Sequence, residues 1–175
     1  AASDVYKRQR LKYSMSKIIA ICGKICSGKS HYARQIKEQK NAVILSIDEA
    51  TYELIDNKQG EFYNVFAERV NKYLIKKAVE IVKAGCNVIL DWGFWTKTER
   101  QETTKYFNQF CIDVEWHYVN VEQLRWKRLI EERNAKIQNG NGGYEFYVDE
   151  GLLNKMLSKF EEPKREEINV WFESN

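Results

Sequence analysis

The run Gly23-Lys24-Ile25-Cys26-Ser27-Gly28-Lys29-Ser30 sets two glycines, a lysine and a hydroxyl at the spacing G-x-x-x-x-G-K-[ST]. Glycine at both ends of such a stretch lets the backbone curl until successive N–H groups point inward, which makes a cradle for phosphate oxygens. Lys29 is then expected to reach the β and γ phosphates of a nucleotide, and the Ser30 hydroxyl to ligand Mg²⁺. The helix that should start here adds its partial positive charge. An ordinary glycine turn is the competing reading. The apolar run before the motif and the helix-prone segment after it favour the phosphate cradle.

Two carboxylates accompany the cradle. Asp91 closes the apolar run Val88-Ile89-Leu90, the setting in which an aspartate holds Mg²⁺ directly or through water; a helix cap is the alternative. Asp48 follows the apolar run Ala42–Ile47, and an ionised carboxylate there could take the proton of an acceptor hydroxyl as a general base. Its alternative is to cap the turn before Ala50–Ile55. Arg125, Arg128 and Arg133 lie on one charged segment ahead of Asn139–Gly143. At about 100° per residue Arg125 and Arg133 are some 80° apart, close enough to share a side. Arginines on a flap over a triphosphate stabilise charge on the transferring phosphoryl group. Glu122, Glu131 and Glu132 are interleaved, so a solvated charged helix is the other reading, favoured for Arg125 but not for Arg133. Trp92-Gly93-Phe94-Trp95 directly follows Asp91 and suits either stacking on a flat acceptor or core packing. His117, inside an apolar run, reads as core, and His31 carries no argument.

The elements that must position these groups alternate along the chain. Short apolar runs at Lys17–Cys22, Ala42–Ile47, Asn87–Leu90, Asp113–Val119 and Ile168–Phe172 read as strands. Between them lie helix-like segments at Ser30–Lys40, Glu61–Ala84, Lys97–Gln109, Glu122–Lys136 and Glu150–Phe160, the second with one apolar face and a stop at Gly85. This alternation predicts a parallel sheet with right-handed crossovers, whose strands are buried on both faces. Ligands of such sheets bind beyond the carboxyl ends of the strands, which is where Gly23, Asp48 and Asp91 fall.

The chain has 175 residues, 43% hydrophobic and 30% charged, with one proline. That fits a single domain and excludes collagen-like and low-complexity classes. No run is apolar enough to span a membrane. Lys7, Arg8, Arg10 and Lys12 oppose only Asp4, so residues 1–14 carry the whole net charge of +3. Met15 is the expected natural start, residues 1–14 a disordered leader or added extension, and 15–175 the domain. A neutral body argues against nucleic acid as a partner. Cys22, Cys26, Cys86 and Cys111 form no C-x-x-C pair, which speaks against zinc and for reduced thiols in a cytoplasmic setting.

Taken together, these residues resemble the P-loop kinases of the zeta-toxin and chloramphenicol-phosphotransferase type. Within them they are similar to small bacterial AAA-labelled ATP-binding proteins. The resemblance spans about Ser16 to Phe172 and rests on G-K-I-C-S-G-K-S, S-I-D-E (Ser46–Glu49), D-W-G-F-W with Arg100, R-L-I-E-E-R-N (Arg128–Asn134) and F-E-E-P (Phe160–Pro163). It implies a three-layer P-loop NTPase fold, a five-stranded parallel sheet of order 2-3-1-4-5 with helices on both faces, and a small helical lid at about 125–150. It further implies Asp48 as acceptor-side base, Arg128 and Arg133 as lid arginines and Pro163 near the adenine. Trp92, Trp95, Arg100 and Asp48 become candidate acceptor contacts. The activity so implied is transfer of the ATP γ-phosphoryl group to a small-molecule hydroxyl, with Mg²⁺, by a monomer or homodimer. A nucleoside, nucleotide or polynucleotide 5′-kinase is the first alternative. A nucleotide-dependent binding module or slow ATPase is the second.

Overall fold

The computed structural model describes residues 16–55 and 63–174. The leader expected at 1–14, the start at Met15 and the first residues of the segment expected from Glu61 lie outside them. Five strands, β1 (Ile18–Cys22), β2 (Ala42–Ser46), β3 (Asn87–Asp91), β4 (Val114–Val121) and β5 (Val170–Ser174), form one sheet of order β2-β3-β1-β4-β5. Every neighbouring pair is parallel. The helices are α1 (Lys29–Lys37), α2 (Ile47–Ile55), α3 (Tyr63–Lys83), α4 (Lys97–Asn108), α5 (Gln123–Gln138) and α6 (Glu150–Lys159).

Alternation along β1 builds the layers. Ile18, Ala20 and Cys22 face a core completed by Val70, Ala78 and Val82 of α3 and Phe107 of α4. Ile19 and Ile21 face the other way, onto Tyr32, Ala33 and Ile36 of α1. Successive side chains of a strand point to opposite faces, so a central strand between two helical layers must be apolar at every position. All five β1 residues are buried, as the unbroken run I-I-A-I-C requires.

Several boundaries differ from the sequence pattern. β4 continues past Val119 to Val121, because β5 pairs with it as far as Val121↔Ser174. Asn120, which breaks the apolar run, donates from Nδ2 across the strands to Glu173 Oε2 at 2.9 Å. β5 starts at Val170 because Asn169 first clasps Trp116, accepting its N–H at 2.7 Å and donating to its carbonyl at 2.9 Å. α2 starts directly at Ile47 rather than after a turn, with the Ser46 hydroxyl accepting from Glu49 N–H at 3.3 Å.

Arg100, a candidate acceptor contact in the sequence, is instead occupied within the fold. It is 3% exposed. Its guanidinium pairs with Glu167 at 3.1 Å and donates to the carbonyls of Glu161 at 3.1 Å and Phe94 at 3.5 Å. It therefore ties α4 to the segment between α6 and β5. Removing one partner of a buried ion pair strands the other. Arg100→Leu is expected to cost about 3 kcal/mol of folding stability, read as a lower melting temperature with and without ligand. An acceptor contact would leave the melting temperature of the free protein unchanged.

Candidate active site

The phosphate loop turns between β1 and α1 where only glycine fits. A Cβ on Gly23 would stand 2.7 Å from the Val119 carbonyl and 2.8 Å from Ser27 Oγ. Gly28, at φ 91°, takes the left-handed conformation that releases the chain into α1. Cys26 holds φ 56° without being glycine, the kind of local strain that surrounding structure must enforce. Part of that enforcement comes from α5, where the indole of Trp126 donates to the Ile25 carbonyl at 2.6 Å. Trp126 was not singled out by the sequence. A lone large aromatic in the charged stretch E-Q-L-R-W-K-R was the available signal.

Lys29 folds back on the loop, its ammonium donating to the carbonyls of Lys24 at 2.7 Å and Gly23 at 3.1 Å. It also lies 5.7 Å from the ring centre of Trp95. Burial lowers its pKa, opposed by the nearby charges of Asp91 and Asp48. Asp91 ends β3 in register with Ile21 of β1 and Ser46 of β2. It is 8% exposed. Burial raises its carboxyl, against the pull of a hydrogen bond with Ser30 and the charges of Lys29 and Arg34. Asp48 lies in the first turn of α2 and is reached by solvent. Partial removal from bulk water, together with repulsion from Asp91, pushes its carboxyl up, while Lys29 and Arg133 draw it down.

Arg133 joins this group from α5. Its Nε donates to the Phe146 carbonyl at 2.9 Å, and its guanidinium lies 3.4 Å from Cys26 Sγ in the loop. Asn134 beside it clasps Val148 through two hydrogen bonds of 2.8 Å, so the glycine-rich turn after α5 returns against its own helix. The other arginines do not converge here. Arg125 pairs with Glu132 at 3.6 Å, and Arg128 is exposed with no ion pair among the described residues.

The aromatic cluster divides. Trp92 is 7% exposed and packs on Phe94 at 5.6 Å, whereas Trp95 is half-buried between Lys29 and Phe160. Pro163 is buried, in a segment held to this loop by Glu161 N–H donating to the Trp95 carbonyl at 2.8 Å. His117 is core, bonded to the Tyr32 hydroxyl at 2.8 Å and Glu115 at 2.7 Å. Burial raises the Glu115 carboxyl, but hydrogen bonds from Lys17, His117 and Lys40 outweigh it and leave it at about 2.

For Mg²⁺, the donors present fit. Ser30 and Asp91 are adjacent hard oxygen ligands, and Mg²⁺ takes one or two of these and leaves its remaining positions to phosphates and water. No cluster of His, Cys, Asp and Glu among the described residues suggests another metal. No helix among them is long and apolar enough to cross a membrane.

A glycine-bounded phosphate loop after the central strand of a 2-3-1-4-5 parallel sheet defines an α/β fold of the P-loop NTPase kind. A family profile described as an AAA domain matches residues 18–163, and the chain belongs to that family. Solved structures with the same fold include the APS kinase of Mycobacterium tuberculosis with AMPPNP and APS. It has a TM-score of 0.61 and 17% identity, covering 92% of this chain and 90% of that one. A sugar kinase from Janibacter sp. HTCC2649 is similar at TM-score 0.60 and 13% identity, covering 90% and 85%. A gluconokinase from Sinorhizobium meliloti 1021 follows at 0.56 and 13%, covering 91% and 83%. No curated protein sequence matches the chain.

The raised carboxyl of Asp91 has a consequence for stability. A folded-state pKa above the ordinary 3.8 means that the ionised carboxylate destabilises the fold. The penalty is full above the folded value and disappears as pH falls through that value toward 3.8. Asp91→Asn is therefore expected to raise the melting temperature of the nucleotide-free protein at neutral pH, with the gain shrinking in acid. A variant that melts lower at neutral pH would contradict this.

Proposed function

We propose that the chain is an ATP-dependent phosphotransferase that passes the γ-phosphoryl group to a hydroxyl of a small molecule. The observation that carries this reading is the convergence of Lys29, the Ser30–Asp91 pair, Asp48 and Arg133 on one loop. A binding module or simple ATPase has no need of a second carboxylate, raised in pKa, beside the one assigned to Mg²⁺. The fold shared with a sugar kinase, an APS kinase and a gluconokinase supports the same class. The narrower likeness to zeta-toxin and chloramphenicol-phosphotransferase enzymes rests on S-I-D-E, D-W-G-F-W and R-x-x-x-x-R-N.

In this reading the N–H groups of residues 23–30 cradle the β and γ phosphates, and Lys29 exchanges its loop carbonyls for phosphate oxygens. Ser30 and Asp91 would hold Mg²⁺, which would neutralise phosphate charge. The acceptor oxygen bonds to the γ phosphorus as the bond to the β–γ bridging oxygen breaks, and ADP leaves. Asp48 takes the hydroxyl proton, and its raised pKa brings it nearer the working range of a general base. Arg133, fixed between Phe146 and Cys26, supplies positive charge to the transferring group. Arg128, exposed on α5, is the second lid arginine that the resemblance implies, and it is given no step in the transfer. Residues 125–150 serve as the lid, and the Trp95–Pro163 region as the wall for the base.

Asparagine at 48 keeps size and much of the hydrogen bonding but accepts no proton. A positioned base contributes about 10²–10⁴ in rate. Transfer by Asp48→Asn is expected to fall by that order, measured with labelled ATP and an accepted alcohol, while Mg·ATP affinity stays within a few-fold. Unchanged transfer would return Asp48 to the role of a helix-start residue. Loss of ATP binding would move it to the metal site.

A further inference from the structure

A chain of three polar side chains runs from α1 into β4, and the transfer chemistry uses none of them. The Tyr32 hydroxyl lies 2.8 Å from His117 Nδ1, and His117 Nε2 lies 2.7 Å from Glu115 Oε1. Tyr32 is 5% exposed and His117 1%. Apolar side chains would fill this space without the cost of desolvating polar atoms, each of which must find a partner there.

The partners give the chain a direction. Glu115 also receives the ammoniums of Lys17, just before β1, and Lys40, just after α1. Burial raises its carboxyl, but hydrogen bonds from Lys17, His117 and Lys40 hold it at about 2, so it is ionised. An ionised carboxylate only accepts, and Nε2 must therefore carry a hydrogen and donate it. Burial lowers the His117 pKa, opposed by Glu115 and reinforced by Lys40 and Lys17. At neutral pH the ring is then uncharged and Nδ1 keeps its lone pair. There the Tyr32 O–H has to donate. Donation runs from Tyr32 to His117 to Glu115.

α1 has few other fastenings at the end that carries the phosphate-binding groups. Gly28, its N-cap, makes no side-chain capping bond. Its buried residues are Tyr32, Ala33 and Ile36. Contacts of Ala33 and Ile36 resist separation from the sheet but do not fix rotation, because apolar burial is non-directional. Tyr32 is held on several sides. Its backbone N–H donates to the Gly28 carbonyl at 2.9 Å, its ring stacks on Phe172 of β5 at 4.3 Å, and its hydroxyl is tied to β4 through His117. Lys29 and Ser30 precede it by three and two positions, in the same turn.

We propose that His117 and Tyr32 are positioning residues of the phosphate loop. Their hydrogen bond, directed by Glu115, sets the rotation of α1 against the sheet and so places Lys29 and Ser30 for the phosphates and Mg²⁺. Both act through α1 rather than on the nucleotide. The proposal rests on the nucleotide-binding reading of the loop given above.

The chain has two histidines, and His31 is exposed. Long-range ¹H–¹⁵N spectra of the wild type and of His31→Gln identify the His117 ring and its tautomer. A hydrogen on Nε2 and a bare Nδ1 are expected at neutral pH; the opposite tautomer would overturn the proposal. Calorimetry with Mg·ATP then separates positioning from packing. Tyr32→Phe keeps the stacked ring and loses the donor, whereas His117→Leu loses the acceptor. Each is expected to bind Mg·ATP about fivefold more weakly, the scale of one net hydrogen bond, in protein that still melts cooperatively. In His117→Asn a carbonyl oxygen stands near the former Nδ1 and accepts from Tyr32, so affinity should return close to that of the wild type. A residue that only stabilises the fold would lower the melting temperature of Tyr32→Phe and leave its Mg·ATP affinity unchanged. That result, or equal weakening in His117→Asn and His117→Leu, would overturn the proposal. A wild type that binds no Mg·ATP would overturn the nucleotide reading instead, and it is told apart because it needs no variant.

Discussion

One ammonium and two carboxylates crowd the carboxyl edge of three adjacent parallel strands, and the rest of the molecule is arranged around that crowding. Lys29, Asp91 and Asp48 each sit where removal from water works against the charged form; Lys29 draws both carboxyls down and is supported by both, while Asp91 repels Asp48. Such a set is costly in a fold that does not use it, because desolvated charges repay their burial only when well paired. The loop carbonyls that hold the Lys29 ammonium at 2.7 and 3.1 Å are substitutes for stronger acceptors. Phosphate oxygens are the natural replacement. The close approach of Gly23 to the Val119 carbonyl fixes where the proposed exchange would take place.

Around that edge, two different kinds of fastening operate. The sheet is held by apolar runs buried on both faces, which need no partner chemistry. α5 is fastened to the phosphate loop by polar contacts, Trp126 to Ile25 and Arg133 to Cys26. Polar fastenings over a half-exposed cleft open at lower free-energy cost than a packed core. The division suits a scaffold that stays fixed while the segment over the nucleotide moves.

Much of this was legible in the sequence because local pattern and local chemistry agreed. G-K-I-C-S-G-K-S after an apolar run fixed the loop, and the strand–helix alternation led to a parallel sheet; the 2-3-1-4-5 order came from the family resemblance and is the order found. What escaped depended on contacts between distant residues. The end of β4 is set by β5, some fifty positions later, and Asn120 hides the continuation. Arg100 was a candidate acceptor contact, but Glu167 and two carbonyls from elsewhere in the chain engage it. Trp92 and Trp95, neighbours in one motif, differ in burial: Trp92 packs in the core and Trp95 is half-buried beside Lys29, with Phe94 between them at φ 44° and a Gly93 Cβ excluded by the Trp95 ring.

The central claim is that this loop exists to bind the phosphates of a nucleotide and that Lys29 is its mobile cation. Titration calorimetry of Mg·ATP into the wild-type chain and Lys29→Ala tests it most directly. The account predicts saturable binding to the wild type and an affinity at least about tenfold lower in the variant, roughly 1.4 kcal/mol, with both proteins melting cooperatively. Equal affinity in a folded Lys29→Ala, or no binding to the wild type, would contradict it.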